Sequence, residues 1–572
     1  MFVKRRVALL LSGTFLGAAM LVGPAFAQDA QSQQPQSQSK QSQQQQIDAL
    51  QKQLQKLQEQ MAEGRPVSGG LYNQAPPGSP MYTKAPAWLG GVQISLAGSF
   101  IAAEGAIRQH NEVSDGASDP PYGNPGIPLQ NSPLWYENEF RFSAQQSRIA
   151  LKATGDIDPT QHLKGYYEMD FLGASTDANN RESNSFTPRL RQAFFEYDND
   201  NYHFHFSAGQ QWTLLTQNRV GMLPQTENVP LTIDAQYVAG FNWLRNPELR
   251  FVEDWNKTVW FGFAIDQPAG VTAGGVSSVS GTSLAPSAGN PGFITNVSND
   301  CQGSSHLNSI TSCTNDVAPD LIEKIAADPG WGHYELIGLQ RWFADDVSPG
   351  TGAAGTVAWT QHVTFGWGVG GNALLPVIPK YVDLQGSVLY GDGIGRYGDS
   401  QLPDVIVGPT GSLQTIQAIQ FLVGAVAHPF IGTDVYAYYG EEQTNANSWI
   451  SGATHGGWGN PLYTNNMCAL EGTSTGTTSG STNITSLAYN AFNSATTCAF
   501  NVQRTQELTV GFWQDVYKGD LGRVRVGGQY EYVRLTAFAG APGATTATSQ
   551  PNAGLNPNNN IFFFSFRYYP FN

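Results

Sequence analysis

The sequence predicts an all-β fold, an antiparallel transmembrane β-barrel of about 16 strands preceded by a short N-terminal coiled-coil helix. From Gly90 onward, apolar and polar residues alternate in segment after segment, as in strands with one apolar and one polar face. Short turns alternate with long loops over the same region, and 12% of all residues are aromatic. Together these features favour a barrel whose strands cross a membrane.

The composition excludes several other classes of protein. Only 13% of the 572 residues are charged, about half of the ~25% found in soluble domains. The formal net charge of −15 excludes a basic nucleic-acid-binding protein, because neutralising phosphates needs clustered Lys and Arg. One long apolar run exists, at the N-terminus, so a multispan helical protein is excluded as well.

The N-terminus predicts a signal peptide over residues 1–27. Lys4, Arg5 and Arg6 precede an apolar stretch, and Ala25-Phe26-Ala27 forms a small-x-small cleavage site. Cleavage removes three positive and no negative residues, which changes the net charge from −15 to −18. The mature chain is therefore expected outside the cytoplasm.

Four cysteines in an oxidising compartment predict two disulfides. Proximity along the chain favours Cys301 with Cys313 and Cys468 with Cys498. No C-x2-C or Cys/His spacing occurs, and the pair His203 and His205 has no evident third ligand nearby, so neither a metal nor another cofactor is expected.

A short handle precedes the barrel domain. Residues 28–46 are rich in Gln and Ser and predict a flexible tether. Over 47–63, apolar residues recur with the a/d spacing of a coiled coil, and this helix is expected to join protomers: Ile47, Leu50, Leu54, Leu57 and Met61. The alternative is an amphipathic helix lying on a surface. A linker, 64–89, leads to the barrel domain, 90–572.

Strand faces follow from the alternation. Leu163, Tyr167 and Met169 share an apolar face, opposite Glu168 and Asp170. Short turns are expected at 155–161, 198–201, 429–432 and 518–521, and long loops at 108–134, 443–503 and 537–559. Counting strands from both termini places the loop 267–330 on the side of the short periplasmic turns, where a long loop is not expected. One strand between 230 and 380 is therefore expected to be misassigned, and the predicted number of strands is held at about 14 to 18.

Several motifs resemble the DcaP-like family of trimeric outer-membrane porins. They are Gln145–Lys152, Gly165–Phe171, Pro188–Phe194, Ala208–Trp212 and Tyr390–Tyr397. The resemblance implies a homotrimer in the outer membrane of a Gram-negative bacterium, in contact with lipid and passing small anions, often carboxylates. It also implies that the segment after Trp212, roughly 214–230, folds into the lumen as a constriction. Barrel proteins usually end in an aromatic residue, and this sequence departs from that pattern because Asn572 follows the aromatic Phe571.

Charged residues on the polar faces are the candidates for solute selectivity, since charge on the lipid side costs about 2–4 kcal/mol near the midplane. Arginine suits carboxylates because its planar fork offers paired donors. The candidate pore-lining residues are Arg148, Lys152, Arg189, Arg191, Arg523 and Arg525, with Arg219, Arg250, Arg341 and Arg396 as weaker candidates. The alternative is that these cations pair with lumen acids, among them Glu168, Asp170 and Glu531, and only stabilise the wall.

Passive transport of small hydrophilic solutes is the leading function, with a preference for anions such as carboxylates. A carbohydrate-selective porin is the alternative, which needs an aromatic track along the lumen; Tyr166, Tyr436 and Tyr438 are candidates for it. An outer-membrane adhesin remains a further alternative because of the long loops. An enzyme is not expected, because the sequence has no G-x-S-x-G motif and no recognisable nucleophile and base.

Overall fold

The computed structural model describes residues 92–96, 98–121, 126–129, 133–173, 183–273, 282–284, 293–296, 312–349, 358–451, 454–463, 500–539 and 556–570. All of them belong to a unit that spans Val67–Asn572. The predicted signal peptide, tether, coiled-coil helix and linker lie outside the described residues, as do Cys301, Cys468, Cys498 and Phe571. Among the described residues, no helix has the length and apolar character needed to cross a membrane.

Strands dominate the described part of the chain. In order they are β1 Gln93–Ser95, β2 Ile101–Arg108, β3 Glu139–Ser143, β4 Ile149–Asp158, β5 Gln161–Gly173, β6 Thr187–Asn199, β7 Phe204–Trp212, β8 Arg245–Trp255, β9 Val259–Asp266, β10 Val271–Thr272, β11 Thr282–Leu284, β12 Phe293–Asn296, β13 Ser312–Cys313, β14 Asp320–Ala327, β15 His333–Pro349, β16 Thr360–Ile378, β17 Val382–Asp392, β18 Val405–Val407, β19 Leu413–Thr415, β20 Gln417–Phe430, β21 Thr433–Thr444, β22 Asn447–Ser451, β23 Thr454–Trp458, β24 Val502–Gly519, β25 Gly522–Ala537 and β26 Asn558–Pro570. Two short 3-10 helices cover Pro133–Tyr136 and Gly395–Tyr397.

The main sheet is antiparallel and follows chain order. Strands β4 to β9 pair in succession, β9 pairs with β14, and the order continues through β15, β16, β17, β20, β21, β24, β25 and β26. The last strand, β26, pairs with β2, whose other edge pairs with β3. β1 pairs with β4, and Phe100, which lies between β1 and β2, forms a bridge with Arg148, which lies between β3 and β4. β1 and β2 therefore act as one interrupted strand and β3 and β4 as a second, and the two form a hairpin.

The sheet buries its polar face and exposes its apolar face. On β4, Ile149 and Leu151 are 40% and 43% exposed, whereas Arg148 and Lys152 on the opposite face are 3% and 7% exposed. The polar faces predicted for β5 and β25 are confirmed in the same way, since Glu168 and Glu531 are fully buried. This arrangement is the reverse of a soluble sheet and matches strands that face lipid on one side.

Connections between strands alternate in length as predicted, but the predicted position of the loop 267–330 among the short turns is wrong. Short turns at 159–160, 200–203, 256–258, 328–332, 379–381, 431–432 and 520–521 alternate with longer connections. The segment 267–319 therefore falls among the long connections and not, as the strand count placed it, among the short ones. The strand missed by sequence is β14, which lies inside the predicted loop 267–330. Its pattern is obscured because Glu323 lies on the exposed face and Lys324 on the buried face.

Two smaller sheets lie among the long connections. β10 pairs with β13 and β18, and β18 pairs with β19, while β22 and β23 form a separate hairpin. The indole of Trp449 in that hairpin donates to the carbonyl oxygen of Val407 at 2.8 Å, which connects the two sheets. Cys313 in β13 is disulfide-bonded, and its partner lies outside the described residues.

Candidate functional site

The connection between β7 and β8, residues 213–244, is packed against the buried face of the main sheet. We call it the inserted segment. All of its residues are buried apart from Arg219, Val220, Leu223, Gln225 and Thr226. The family resemblance implies such a segment over roughly 214–230. The packed region is longer, because 231–244 are buried without interruption.

Carboxylates of the sheet accept hydrogen bonds from the backbone of the inserted segment. The amide of Asn218 donates to Glu335 at 2.9 Å, and the amide of Gly240 donates to Glu442 at 2.8 Å. Two further amides, those of Leu214 and Ala239, donate to Glu248 at 3.0 Å and to Glu507 at 2.9 Å. An irregular segment has no ladder to satisfy its amides, so these carboxylates supply the acceptors that burial requires.

Cations of the sheet satisfy the carbonyl groups of the same segment. Arg250 donates to the carbonyl oxygens of Met222 at 2.9 Å and of Trp212, the last residue of β7, at 2.5 Å. The ammonium of Lys324 donates to the carbonyl oxygen of Thr216 at 2.8 Å, and Arg567 donates to that of Ile233. The predicted pore-lining residue Arg250 is 1% exposed, so its donors hold the segment.

One point of the segment approaches the wall so closely that only glycine fits. Gly240 has φ +81°, and a Cβ there would lie 2.0 Å from the carbonyl oxygen of Phe421. On the facing strand, a Cβ at Gly440 would lie 1.7 Å from the carbonyl oxygen of Ala239. Two glycines therefore allow backbone to contact backbone at this position.

Predicted site residues of β4, β5 and β6 form one charged cluster. The guanidinium of Arg189 binds Asp170 through two bonds of 3.0 and 2.9 Å, and Arg191 lies 2.6 Å from Glu168 and 2.9 Å from Asp170. Arg148 lies 3.7 Å from Glu168. Three arginines thus share two carboxylates. The side chain of Arg189 is 22% exposed, whereas that of Arg191 is 1% exposed.

Other predicted residues lie apart from this cluster. Arg525 contacts Asp434 and lies 3.0 Å from Asp515, which also binds Arg523 at 2.7 Å. These four side chains lie near the turn between β24 and β25. They form a local network that does not join the cluster on β4 to β6.

Arg341 joins the wall to the long connections. Its guanidinium lies 2.9 Å from Asp320 and 2.8 Å from Asp404, and it donates to the carbonyl oxygens of Gly393 at 2.6 Å and Ala269 at 3.0 Å. Burial raises the pKa of Asp404, and the adjacent guanidinium opposes that shift. Arg341 thus anchors the segments that begin after β9 and β17.

The remaining predicted residues have separate positions. Lys152 is buried on β4 and has no ion-pair partner among the described residues. Arg219 lies in the inserted segment, where its amide donates to the carbonyl oxygen of Thr226 at 2.8 Å. Arg396 lies in the short helix Gly395–Tyr397 and is partly exposed. Glu531 is fully buried on β25 and accepts from Gln529 at 3.2 Å.

Sequence reasoning missed Arg245, the first residue of β8. Its guanidinium lies over the rings of Trp212 and Trp243, 5.0 and 5.1 Å from the two ring centroids. Arg245 has the same parity along β8 as Leu249 and Phe251, which face outward, so alternation assigns it to the wrong face. The tryptophans on either side of the inserted segment were the signal that could have identified it.

The fold is similar to that of the outer-membrane channel DcaP of Acinetobacter baumannii, with a TM-score of 0.51 and 14% identity over 84% of this chain and 97% of that one. At this identity the likeness shows the fold alone.

Two further solved structures align over similar lengths but too weakly to support an argument. They are the anion-selective porin of Comamonas acidovorans, with a TM-score of 0.39 and 10% identity over 83% of this chain and 99% of that one, and the trimer form of OmpT, an outer membrane protein of Vibrio cholerae, with a TM-score of 0.38 and 11% identity over 84% and 98%. No family model and no curated protein matches the chain.

Replacing Gly240 by Ala should displace the inserted segment. The substitution forces a positive φ on a residue with a Cβ and creates a clash with the carbonyl of Phe421, so we expect a loss of about 2 kcal/mol or more. The temperature at which the folded form disappears on semi-native electrophoresis measures the loss. Gly386→Ala is the matched control, because a Cβ there meets nothing within 4 Å. Equal stability of the two variants would contradict the close contact.

Replacing Glu335 by Ala should destabilise the fold by about 3–5 kcal/mol, because it leaves a buried charge without its partner. That charge is the ammonium of Lys324, which lies 3.0 Å from Glu335 with both side chains fully buried. Urea unfolding of the purified protein in detergent gives the free energy. Glu441→Ala breaks an ion pair with Arg504 that is partly exposed, and should cost about 0–1 kcal/mol. Similar losses for both variants would argue against the anchoring role.

Glu227 should make the inserted segment less stable as pH rises. Burial raises the pKa of Glu227 to about 7, with Arg250 opposing the shift, and neither carboxylate oxygen has a hydrogen-bond partner among the described residues. Because this folded-state pKa exceeds the ordinary value of 4.5, its contribution to stability is complete below about pH 4.5 and is lost by about pH 7.

The measurement for Glu227 is the thermal midpoint of the wild type and of Glu227→Gln at intervals from pH 4.5 to 8. The wild-type midpoint should fall relative to that of the variant across this range. Groups shared by the two proteins cancel in the difference. A constant difference between the two midpoints would disprove the assignment.

Proposed function

We propose that this chain is an outer-membrane porin that allows passive diffusion of small hydrophilic solutes. The pairing of β26 with β2 supports closure of the main sheet into a transmembrane barrel. Counting β1 with β2, and β3 with β4, as single interrupted strands gives 16 spans. The main support is that the sheet is polar on its inner face and apolar on its outer face, the reverse of a soluble protein. Charged residues fill the inside, and apolar side chains such as Leu151 cover the outside.

The proposed solutes are small anions such as carboxylates. Support comes from the cluster on β4 to β6, where Arg148, Arg189 and Arg191 share Glu168 and Asp170 beside the inserted segment. A porin lumen narrowed by such a segment selects by the charges at the narrowing. The carboxylates of the opposite strands are engaged by backbone amides, so they present less free negative charge to a passing anion.

The proposed assembly is a homotrimer in the outer membrane, joined in part through the predicted coiled-coil helix, 47–63. Its support is the sequence pattern of that helix together with the family resemblance. The carbohydrate-selective alternative has weaker support. Tyr436 and Tyr438 are almost fully buried and hydrogen-bonded to Gln529 and to the amide of Leu231, so they pack against the inserted segment and do not form an open aromatic track.

Reversal potential across a planar bilayer in a KCl gradient tests this function. The purified full-length protein should conduct and prefer chloride. Arg189→Gln should lower the ratio of anion to cation permeability about fourfold, because losing one positive charge ~10 Å away in water disfavours the anion by roughly 0.4 kcal/mol and favours the cation by the same amount.

Arg504→Gln, on the exposed face, is the control and should leave the permeability ratio unchanged. A preference for potassium in the wild type would overturn the anion assignment and favour the carbohydrate alternative. Absence of conductance would overturn the porin assignment.

A further inference from the structure

Arg245 is held at the point where the inserted segment rejoins the sheet. Its pairing partner in the β7–β8 ladder is Trp212, which is fully buried, and the second tryptophan, Trp243, is 8% exposed. Trp243 is fixed in turn by a hydrogen bond from its indole to the carbonyl oxygen of Ala235 at 3.3 Å. The guanidinium of Arg245 therefore lies over two aromatic rings whose own positions are set by packing, an arrangement that favours a cation.

The donors of this guanidinium have no acceptor among the described residues. Its Nη1 is buried and makes no hydrogen bond, while Nε and Nη2 make none either but remain accessible to solvent. No carboxylate of the described residues lies within ion-pair distance. A guanidinium that is partly withdrawn from water and lacks a counterion is costly, because the aromatic contact replaces only part of its hydration.

The surroundings add positive charge. Arg189 and Arg191 act on Arg245 by electrostatic repulsion, and Asp170 and Glu168 by attraction. Both carboxylates are already occupied, since Asp170 binds Arg189 and Arg191, and Glu168 binds Arg191. With Arg148 included, four guanidinium groups face two carboxylates. Among the described residues the excess is two positive charges, and Arg245 is the arginine of this group that makes no ion pair there.

We propose that Arg245 is the residue that binds a small carboxylate during passage, in a site formed with Trp212 and Trp243. This inference rests on the proposed porin function and adds to it the residue and the ligand geometry. The accessible Nε and Nη2 form the edge of the guanidinium that takes a carboxylate through two parallel hydrogen bonds. Arg189 uses the same two nitrogens for Asp170, at 3.0 and 2.9 Å, which shows the geometry within this cluster.

The ligand class follows from the shape of the donor group. A carboxylate has two coplanar oxygens that match the fork, whereas chloride can use only the charge. The rings of Trp212 and Trp243 cover part of the guanidinium, so the ligand approaches the open edge. Arg189, 22% exposed, is the nearest further cation that a departing anion could contact.

The test compares acetate with chloride as the permeating anion. The full-length protein is placed in a planar bilayer with KCl on one side and potassium acetate on the other, and the reversal potential gives the acetate-to-chloride permeability ratio. Arg245→Gln should lower this ratio by about threefold to tenfold. Arg245→Lys should lower it as well but retain the preference for anions over potassium, because an ammonium keeps the charge without the fork.

Arg534→Gln is the matched control. Arg534 is a partly exposed arginine on the outward-facing side of β25 and, like Arg245, has no ion pair among the described residues. Its replacement should leave the permeability ratio unchanged. Semi-native electrophoresis establishes that each variant is folded before it is measured. An unchanged acetate-to-chloride ratio in both Arg245 variants would overturn the proposal.

A second measurement separates this proposal from the porin function itself. Acetate binding next to two tryptophans should change the intrinsic fluorescence of the wild type saturably, and the change should be lost in Arg245→Gln but kept in Arg534→Gln. If the wild type prefers potassium in a KCl gradient yet shows this change, the anion-porin function fails and the carboxylate site stands. If the wild type prefers chloride but shows no Arg245-dependent change, the site fails and the porin function stands.

Discussion

An irregular stretch of backbone can be buried only where every amide and carbonyl finds a partner, and this requirement shapes the interior of the molecule. The inserted segment, 213–244, takes its partners from side chains of the wall. Carboxylates such as Glu335 and Glu442 accept from its amides, while Arg250 and Lys324 donate to its carbonyl groups. Much of the charge on the buried face therefore serves to hold a backbone in place.

This division explains how an acidic chain can present positive charge at one place. The chain carries a formal charge of −15, but buried carboxylates including Glu248 and Glu507 are engaged by amides of the inserted segment. The arginines on β4 to β8 exceed the carboxylates that contact them. Net charge describes solubility and long-range steering, whereas the proposed selectivity would depend on which charges remain unpaired beside the inserted segment.

Much of the fold could be predicted from the sequence because a strand alternates its faces with a strict period of two. The burial of Arg148 and Lys152 opposite exposed Ile149 and Leu151 followed from that rule alone. β14 could not be found in this way, because it is eight residues long and carries charged residues on both faces. The rule failed again at Arg245, because alternation breaks on the neighbouring strand β7, where Gln211 and Trp212, the pairing partner of Arg245, are both buried.

The bonding partners of charged groups could not be predicted from the sequence. Parity placed Arg250 and Arg341 on the inner face, but their roles depend on carbonyl groups that come from other parts of the chain. Nothing local to either arginine indicates those acceptors. The candidate site was therefore predictable as a face of the sheet, while identifying the residues that anchor the inserted segment and the long connections required the fold.

The inserted segment also imposes an order on folding. Leu231 and Ile233 lie between β7 and β8, yet they bond to Trp513, Gln529 and Arg567, hundreds of residues later in the chain. Until those C-terminal strands arrive, the amides and carbonyls of the segment must stay hydrated, and the loop-closure entropy of such distant contacts makes the step slow. The contacts that fix Leu231 and Ile233 thus depend on β24 to β26, and a chain truncated before β24 would lack them.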